Sequence, residues 1–369
     1  MENAEKFTTL IKNGQWYKGN THTHSLISDG RCSYDEVIGF YKGRGYNFLA
    51  MTEHEIYTAH EGFDAGGFIV IPGMETAPVS QEEGYNISGM YHGLLLLAKK
   101  ERAGLKYANM QKAGPLEWTG QRGFQASIDS LSSDGDNLVI MHCPRWNQMT
   151  PDDLLPYSGY CAIEIYNHVC QEMGMQGNAE AHWDLLIRSG RSVWGIASDD
   201  LHANNDPRFI GGGWIMAKAT GLSIGEIAAA IERGSFYSTQ GPLIYDCFIR
   251  EDTIHLECSP VEKAYITFFG DFGDFGGSGG KRAAFFSGAT CWGGKGGDFA
   301  IGAGGGSGDG GDGANGADDA NSAACVYTLD KRLGKIMQGL KLDGTYAVRI
   351  TLEDGRKNLA WANPIFVRK

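Results

Sequence analysis

Between Trp16 and Gly234, short runs rich in β-branched and aromatic residues alternate with segments of helical period. That alternation restricts the fold to repeated β-α units around a mostly parallel sheet. Strand-like runs fall near 17–22, 46–52, 68–74, 91–97, 137–142, 161–166, 192–198 and 213–217. Helical segments fit between several of them. The clearest begins at Ser33, where Ser33-Tyr34-Asp35-Glu36 has the capping-box spacing and Val37, Phe40 and Tyr41 supply an apolar stripe. Others are expected over 123–132, after the Thr150-Pro151 start signal, over 179–189 and over 223–233. Seven or eight such units over roughly 220 residues suggest an α/β barrel.

After Gly241 the pattern changes to strand-like runs over 245–249, 253–257, 264–269, 324–329, 346–351 and 359–367, a small antiparallel β domain. The chain is therefore expected to divide into 1–240 and 241–369. Of its 54 glycines, 20 lie between Gly270 and Ala320. Such a segment cannot bury enough apolar area to offset its backbone entropy, so a mobile insertion over 270–320 is expected. A phosphate-cradling loop is the alternative for those glycines, but they lack a strand-loop-helix context and a following Lys-Ser/Thr.

Charge and apolar content narrow the function. The 32 basic against 44 acidic residues leave a net charge of −12, which repels polyanions and argues against nucleic acid as a partner. The first twenty residues hold no apolar core of a signal peptide, and the longest apolar stretch, Leu94–Ala98, is far too short for a bilayer. A soluble, cytoplasmic protein without membrane contact is expected. The eight cysteines form no Cys-x-x-Cys pair, so they read as reduced and mostly buried.

Six of the ten histidines fall at strand ends, beside acids at short spacings. His22 and His24, one residue apart on a period-two strand, point to the same face and can share a metal. Asp200 and His202 repeat that spacing. Glu53 and His54 close one strand, Glu75 closes another, His92 opens the leucine-rich strand, and His142 ends Leu138-Val139-Ile140-Met141. In a parallel barrel, strand C-termini converge on one rim where active sites lie. Taken singly, each has a plainer reading: a core or surface histidine, a helix cap, a solvated loop acid, a turn. Gathered on one rim without a cation, they would form a costly cluster of unpaired polar groups, so the joint reading is a metal centre.

The segments His22-Thr23-His24-Ser25-Leu26-Ile27-Ser28-Asp29-Gly30, Leu49-Ala50-Met51-Thr52-Glu53-His54, Gly73-Met74-Glu75, Tyr91-His92-Gly93, Met141-His142-Cys143-Pro144 and Ser198-Asp199-Asp200-Leu201-His202 resemble, in order, the motifs of the PHP (polymerase and histidinol phosphatase) superfamily across residues 16–240. Phe236-Tyr237-Ser238-Thr239-Gln240-Gly241-Pro242 and Ala360-Trp361-Ala362-Asn363-Pro364-Ile365 resemble the branch with a C-terminal β domain, including carbaryl-hydrolase-like proteins. The resemblance implies a distorted (β/α)7 barrel holding two to three divalent metals. It implies one site of His22, His24, Glu75 and Asp200, with Glu75 bridging to a second site of His92 and His142. A third would use His54, His202 and Asp29. Two departures stand out: the family commonly has Asp where Glu53 stands, and the third-site ligand after His-x-His varies.

Nitrogen and oxygen ligands without thiolate suit Zn, Mn or Fe. A water bridging two such ions falls in pKa from 15.7 toward about 7, so hydroxide becomes available at neutral pH, and the ions can neutralise charge on a phosphate. Arg31, Arg145 and Arg208 follow metal motifs and match phosphate bidentately; Arg145, three residues from His142, is the first choice. Glu164, on an apolar strand, reads as a buried carboxylate that either supports a ligand or is one. The leading expectation is a metal-dependent phosphoesterase attacking a small phosphate mono- or diester with that hydroxide, with Glu75, Asp200 and Arg145 carrying catalysis. The alternatives are a carbamate or carboxylic-ester metallohydrolase and a noncatalytic, metal-binding regulatory domain. No polymerase region accompanies the motifs, which argues against a proofreading role.

Overall fold

A computed structural model describes residues 6–58, 66–77, 93–100, 120–133, 135–202, 206–250, 253–269, 283–288, 325–328 and 346–367. The chain forms two compact units, Thr9–Gln240 and a second made of Gly241–Lys369 with Met1–Thr8. The first residues join the second unit because β1 (Lys6–Phe7) pairs antiparallel with Ile249 and Arg250, whereas the sequence placed them in the barrel domain.

The larger unit is mixed α/β. Its elements run β2 (Gln15–Asn20), α1 (Tyr34–Lys42), β3 (Phe48–Met51), β4 (Ile69–Thr76), β5 (Leu94–Ala98), α2 (Gln121–Ser133), β6 (Asn137–Met141), β7 (Ala162–Asn167), α3 (His168–Glu172), α4 (Glu180–Arg188), β8 (Trp194–Ser198), β9 (Trp214–Ala219), α5 (Ile224–Glu232) and β10 (Phe236–Thr239). The capping box at α1 forms in both directions: the Ser33 hydroxyl accepts from the Glu36 N–H, and the Glu36 carboxylate accepts from the Ser33 N–H at 2.8 Å. Val37, Ile38 and Tyr41 then face inward, fully buried. The helix expected after Thr150-Pro151 is only a 3₁₀ turn, Pro151–Leu154. Pro156 and Gly159 close behind it deny a longer helix its hydrogen bonds and rigidity.

Strands β3 to β8 are buried along their whole length, as strands covered on both faces should be. The order is β10-β9-β2-β3-β4-β5-β6-β7-β8. Pairs β2–β3, β3–β4, β6–β7 and β7–β8 are parallel, while β5 and β9 run against both neighbours. The sheet is large and mostly parallel, as expected, with two reversed strands as the departure from a regular β-α repeat. Its end strands β8 and β10 are linked by a side chain, Ser238, whose Oγ donates to Gly195 O and accepts from Ala197 N, both at 2.8 Å. Among the described residues no backbone ladder closes the sheet there.

The second unit holds two antiparallel sheets, one of β1, β11 (Ile244–Arg250), β12 (Thr253–Cys258) and β15 (Cys325–Thr328). The other holds β13 (Lys263–Phe269), β14 (Ala283–Gly288), β16 (Tyr346–Glu353), β17 (Leu359–Ala362) and β18 (Ile365–Val367). The run 359–367 splits at Asn363-Pro364, where proline has no N–H to donate. Strand β14 falls inside the glycine-rich segment expected to be an insertion; the rest of 270–320 lies outside the described residues. No helix among the described residues is long and apolar enough to cross a membrane.

Candidate metal centre

The centre is built where β2 and β8 run out side by side. Past the ends of these strands, Thr23 and Leu201 form a parallel bridge; His24 N donates to Leu201 O and Asp200 N to His22 O, each at 3.0 Å. This register sets the two i, i+2 pairs, His22/His24 and Asp200/His202, against each other. The Thr23 side chain is on the opposite side, its hydroxyl donating to Ala50 O of β3, which leaves both imidazoles facing inward. Glu75, at the end of β4, completes the arrangement.

Four ligand-type atoms then meet. His22 Nε2 lies 3.0 Å from His24 Nε2, 3.0 Å from Glu75 Oε2 and 3.1 Å from Asp200 Oδ1, and His24 Nε2 lies 3.0 and 3.2 Å from the same two oxygens. Ligands about 2.0–2.1 Å from a tetrahedral ion are about 3.3–3.4 Å apart, so the spacing is close to that of a coordination shell. All four residues are buried. Asp200 Oδ1 is an orphan, a buried carboxylate oxygen without a hydrogen bond, and it is aimed at the same point as two imidazole nitrogens. Asp200 also holds a left-handed φ of 56°, and Cys143, next to His142, one of 39°, conformations that cost a non-glycine residue about 1–3 kcal/mol and cluster at functional sites. These residues fit a cation.

Two further groups adjoin. Glu75 turns its other oxygen to His142 Nε2 at 2.8 Å, so one carboxylate faces two ligand sets. The companion expected there, His92, lies outside the described residues. The reversal of β5 nevertheless explains how its start reaches this rim: Leu94 pairs with Thr76 and with Met141, the last residues of β4 and β6. Gly93 is pressed against His142, and a Cβ there would fall 1.9 Å from the imidazole Cδ2. On the outer side, Asp29 Oδ2 lies 3.4 Å from His54 Nε2 and Asp29 Oδ1 3.3 Å from His202 Nε2, with the His24 ring stacked on both imidazoles. His24, Asp29, His54 and His202 can together hold an ion, in a more open setting than the first four.

Where no cation is bound, protons must balance these carboxylates. Burial works against a charge on His22, yet Asp200, Glu164 and Glu75 raise its pKa well above the ordinary value. Burial likewise opposes His142, which Glu75 and Glu164 push up to about 10. His202, despite burial, is pushed up to about 9 by Asp200 and Asp29. Glu75 is held well below the usual carboxylate range, burial being outweighed by His142, His54 and His22.

Other residues hold the frame. Glu53 is no part of these groups; its carboxylate accepts from the N–H and hydroxyl groups of Ser25 and Ser28, shaping the turn before Asp29. Asp199 points away from Asp200, accepting from Tyr41 Oη and the N–H groups of Gly211, Gly212 and Gly213 at 2.7–3.0 Å. Glu164, read as either support or ligand, has His22 Nδ1 at 2.9 Å. Asn167, which the sequence did not single out, donates to Asp200 Oδ2 at 2.9 Å; its only signal was its place at the end of the strand carrying Glu164. Of the three arginines, Arg31 and Arg145 are exposed, and Arg208 is turned to Asp206 at 2.7 Å. Arg145 lines an open cavity of about 410 Å³ with Gln171, Gln176 and Asn178.

No family model and no curated protein matches the sequence. Among solved structures it is similar to a two-domain protein containing a predicted PHP-like metal-dependent phosphoesterase from Bacteroides vulgatus ATCC 8482. Identity is 13%, the match covers 78% of this chain and 90% of that one, and the TM-score is 0.42. It is also similar to a proposed metal-dependent phosphoesterase from Bifidobacterium adolescentis ATCC 15703, at 12% identity, covering 54% of this chain and 91% of that one, TM-score 0.32. Both superpositions are loose. Both neighbours carry the description of a metal-dependent phosphoesterase, and the first also that of a PHP-like one.

Proposed function

We propose that this chain is a divalent-metal-dependent phosphoesterase of the PHP type, of the branch with a C-terminal β domain, acting on a small phosphate mono- or diester. The observation that carries the reading is the convergence of His22 Nε2, His24 Nε2, Glu75 Oε2 and Asp200 Oδ1, with the second Glu75 oxygen on His142. His22, His24, Glu75 and Asp200 would hold one ion, Glu75 and His142 a second, and His54, His202 and Asp29 a third. Zn, Mn or Fe bound there would supply a water activated at neutral pH and a positive field for phosphate oxygens.

The chain's own residues supply the rest. Glu75 and Asp200 hold their oxygens in a buried, fixed arrangement, so little reorganisation is needed when charge builds. Arg145 offers a guanidinium at the cavity beside the loop that follows His142, suited to orienting an anionic ester. The net charge of −12 over the whole chain favours a small substrate over a nucleic acid.

The test is turnover by metal-replete protein of p-nitrophenyl phosphate and a panel of small phosphodiesters, with Arg145→Ala alongside. Phosphate-ester turnover that falls at least tenfold in the variant is expected. Turnover of carbamates or carboxylic esters alone, insensitive to Arg145→Ala, would replace the phosphate reading. Less than one metal per chain after supplementation would point to a noncatalytic domain.

A further inference from the structure

Glu164 sits on β7, 1% exposed, and its carboxylate accepts four hydrogen bonds. One oxygen takes His22 Nδ1–H at 2.9 Å and the Ser198 hydroxyl. The other takes the Cys143 backbone N–H and the Asn167 amide, each at 3.1 Å. The same Asn167 nitrogen donates to Asp200 Oδ2 at 2.9 Å. The second Glu164 oxygen also lies 3.8 Å from His142 Nδ1, a buried nitrogen that makes no hydrogen bond. One side chain therefore touches the supports of both inner ligand sets: His22 directly, Asp200 through Asn167, and His142 through the turn at Cys143.

We propose that Glu164 is a positioning residue that couples the two inner metal positions through its charge. Accepting from Nδ1 keeps the proton on that nitrogen and leaves His22 Nε2 as the lone pair facing Glu75 and Asp200. Its other oxygen holds the left-handed turn at Cys143, and with it the aim of His142. A carboxamide cannot replace it. Glutamine has one acceptor oxygen for two pairs of donors, so its NH₂ must oppose either His22 and Ser198 or Cys143 and Asn167. The inference rests on the metal-binding part of the proposed function and not on phosphoester chemistry.

Two measurements on the full chain test it. The first is ¹H–¹⁵N NMR of histidine-labelled wild-type protein, metal-free and Zn²⁺-loaded. His22 should carry a downfield Nδ1–H proton in both forms. The second is Zn²⁺ competition against a chromophoric chelator for wild type and Glu164→Gln. Affinity should fall about 10- to 100-fold for each of the two tightest ions, with the Nδ1–H signal lost or moved upfield in the variant. Unchanged affinities, or weakening of one ion alone, would overturn the coupling. A loaded wild-type His22 without a proton on Nδ1 would instead make Nδ1 and Glu164 direct ligands, since His22, His142 and Glu164 also lie close enough to share an ion. If Glu164→Gln does not fold, the wild-type Nδ1 proton alone decides between support and ligand. Metal uptake without phosphate-ester turnover would sink only the phosphoesterase reading, while failure to take up any ion would sink both.

Discussion

At the scale of single residues, the centre depends on which atom of each side chain is left without an alternative. Asp200 Oδ2 is taken by Asn167, which leaves Oδ1 for the shared point. Residues without chemistry of their own matter as much. Gly93 accepts the His142 N–H at 3.1 Å through its carbonyl and lies under the imidazole. Gly93→Ala should push that ring aside, lowering stability by about 1–3 kcal/mol and emptying the His142 position while the ion at His22, His24, Glu75 and Asp200 stays. Metal analysis with thermal unfolding checks this; full metal content in a stable variant would refute it.

At the scale of elements, the neighbouring acids Asp199 and Asp200 serve opposite sides of one strand end. Asp200 faces the ligand cluster, whereas Asp199 anchors the loop at Gly211, Gly212 and Gly213 that leads into β9. Asp199→Ala would leave three backbone N–H groups and the Tyr41 hydroxyl without their acceptor, and each buried unpaired donor costs about 1–3 kcal/mol. Denaturant unfolding should show a loss of more than about 3 kcal/mol. A loss below about 1 kcal/mol would mean that water replaces the carboxylate. The direction of β5 also belongs to this scale. Leu94, Leu95, Leu96 and Leu97 read the same in either direction, because a buried run carries no polarity. Only the pairing with β4 and β6 shows that β5 starts at the rim rather than ending there.

At the scale of the whole molecule, protonation and metal uptake are linked. The pKa values of His142 and His202 are raised to about 10 and 9, so their charged forms stabilise the metal-free fold. That contribution is fully present below the ordinary histidine value of about 6.5 and is lost as pH rises through 9 and 10. Chelator-treated protein should therefore lose thermal stability between pH 7 and 10, and saturating metal should remove most of that slope. A pH-independent midpoint in the metal-free protein would contradict the assignment. Cation binding near pH 7.5 should also expel protons, read as a dependence of calorimetric enthalpy on buffer ionisation. Bound cations would offset part of the net charge of −12.

The sequence alone determined the β-α alternation, the start of α1 at Ser33 and the placing of His22 and His24 on one face, because period-two spacing and cap chemistry act over a few residues, whereas the grouping of that pair with Glu75 and Asp200 was implied by the resemblance. It also determined that Glu164 is buried, since its neighbours on β7 are apolar. Only the tertiary structure decided what Glu164 meets, since its donors come from β8, the loop after β6 and residues 22 and 167. It likewise decided that β5 and β9 are reversed and that Glu53 shapes a turn instead of joining the ligands. Hydrogen-bond partners and strand direction are set by contacts between distant segments, and those leave no period in the chain.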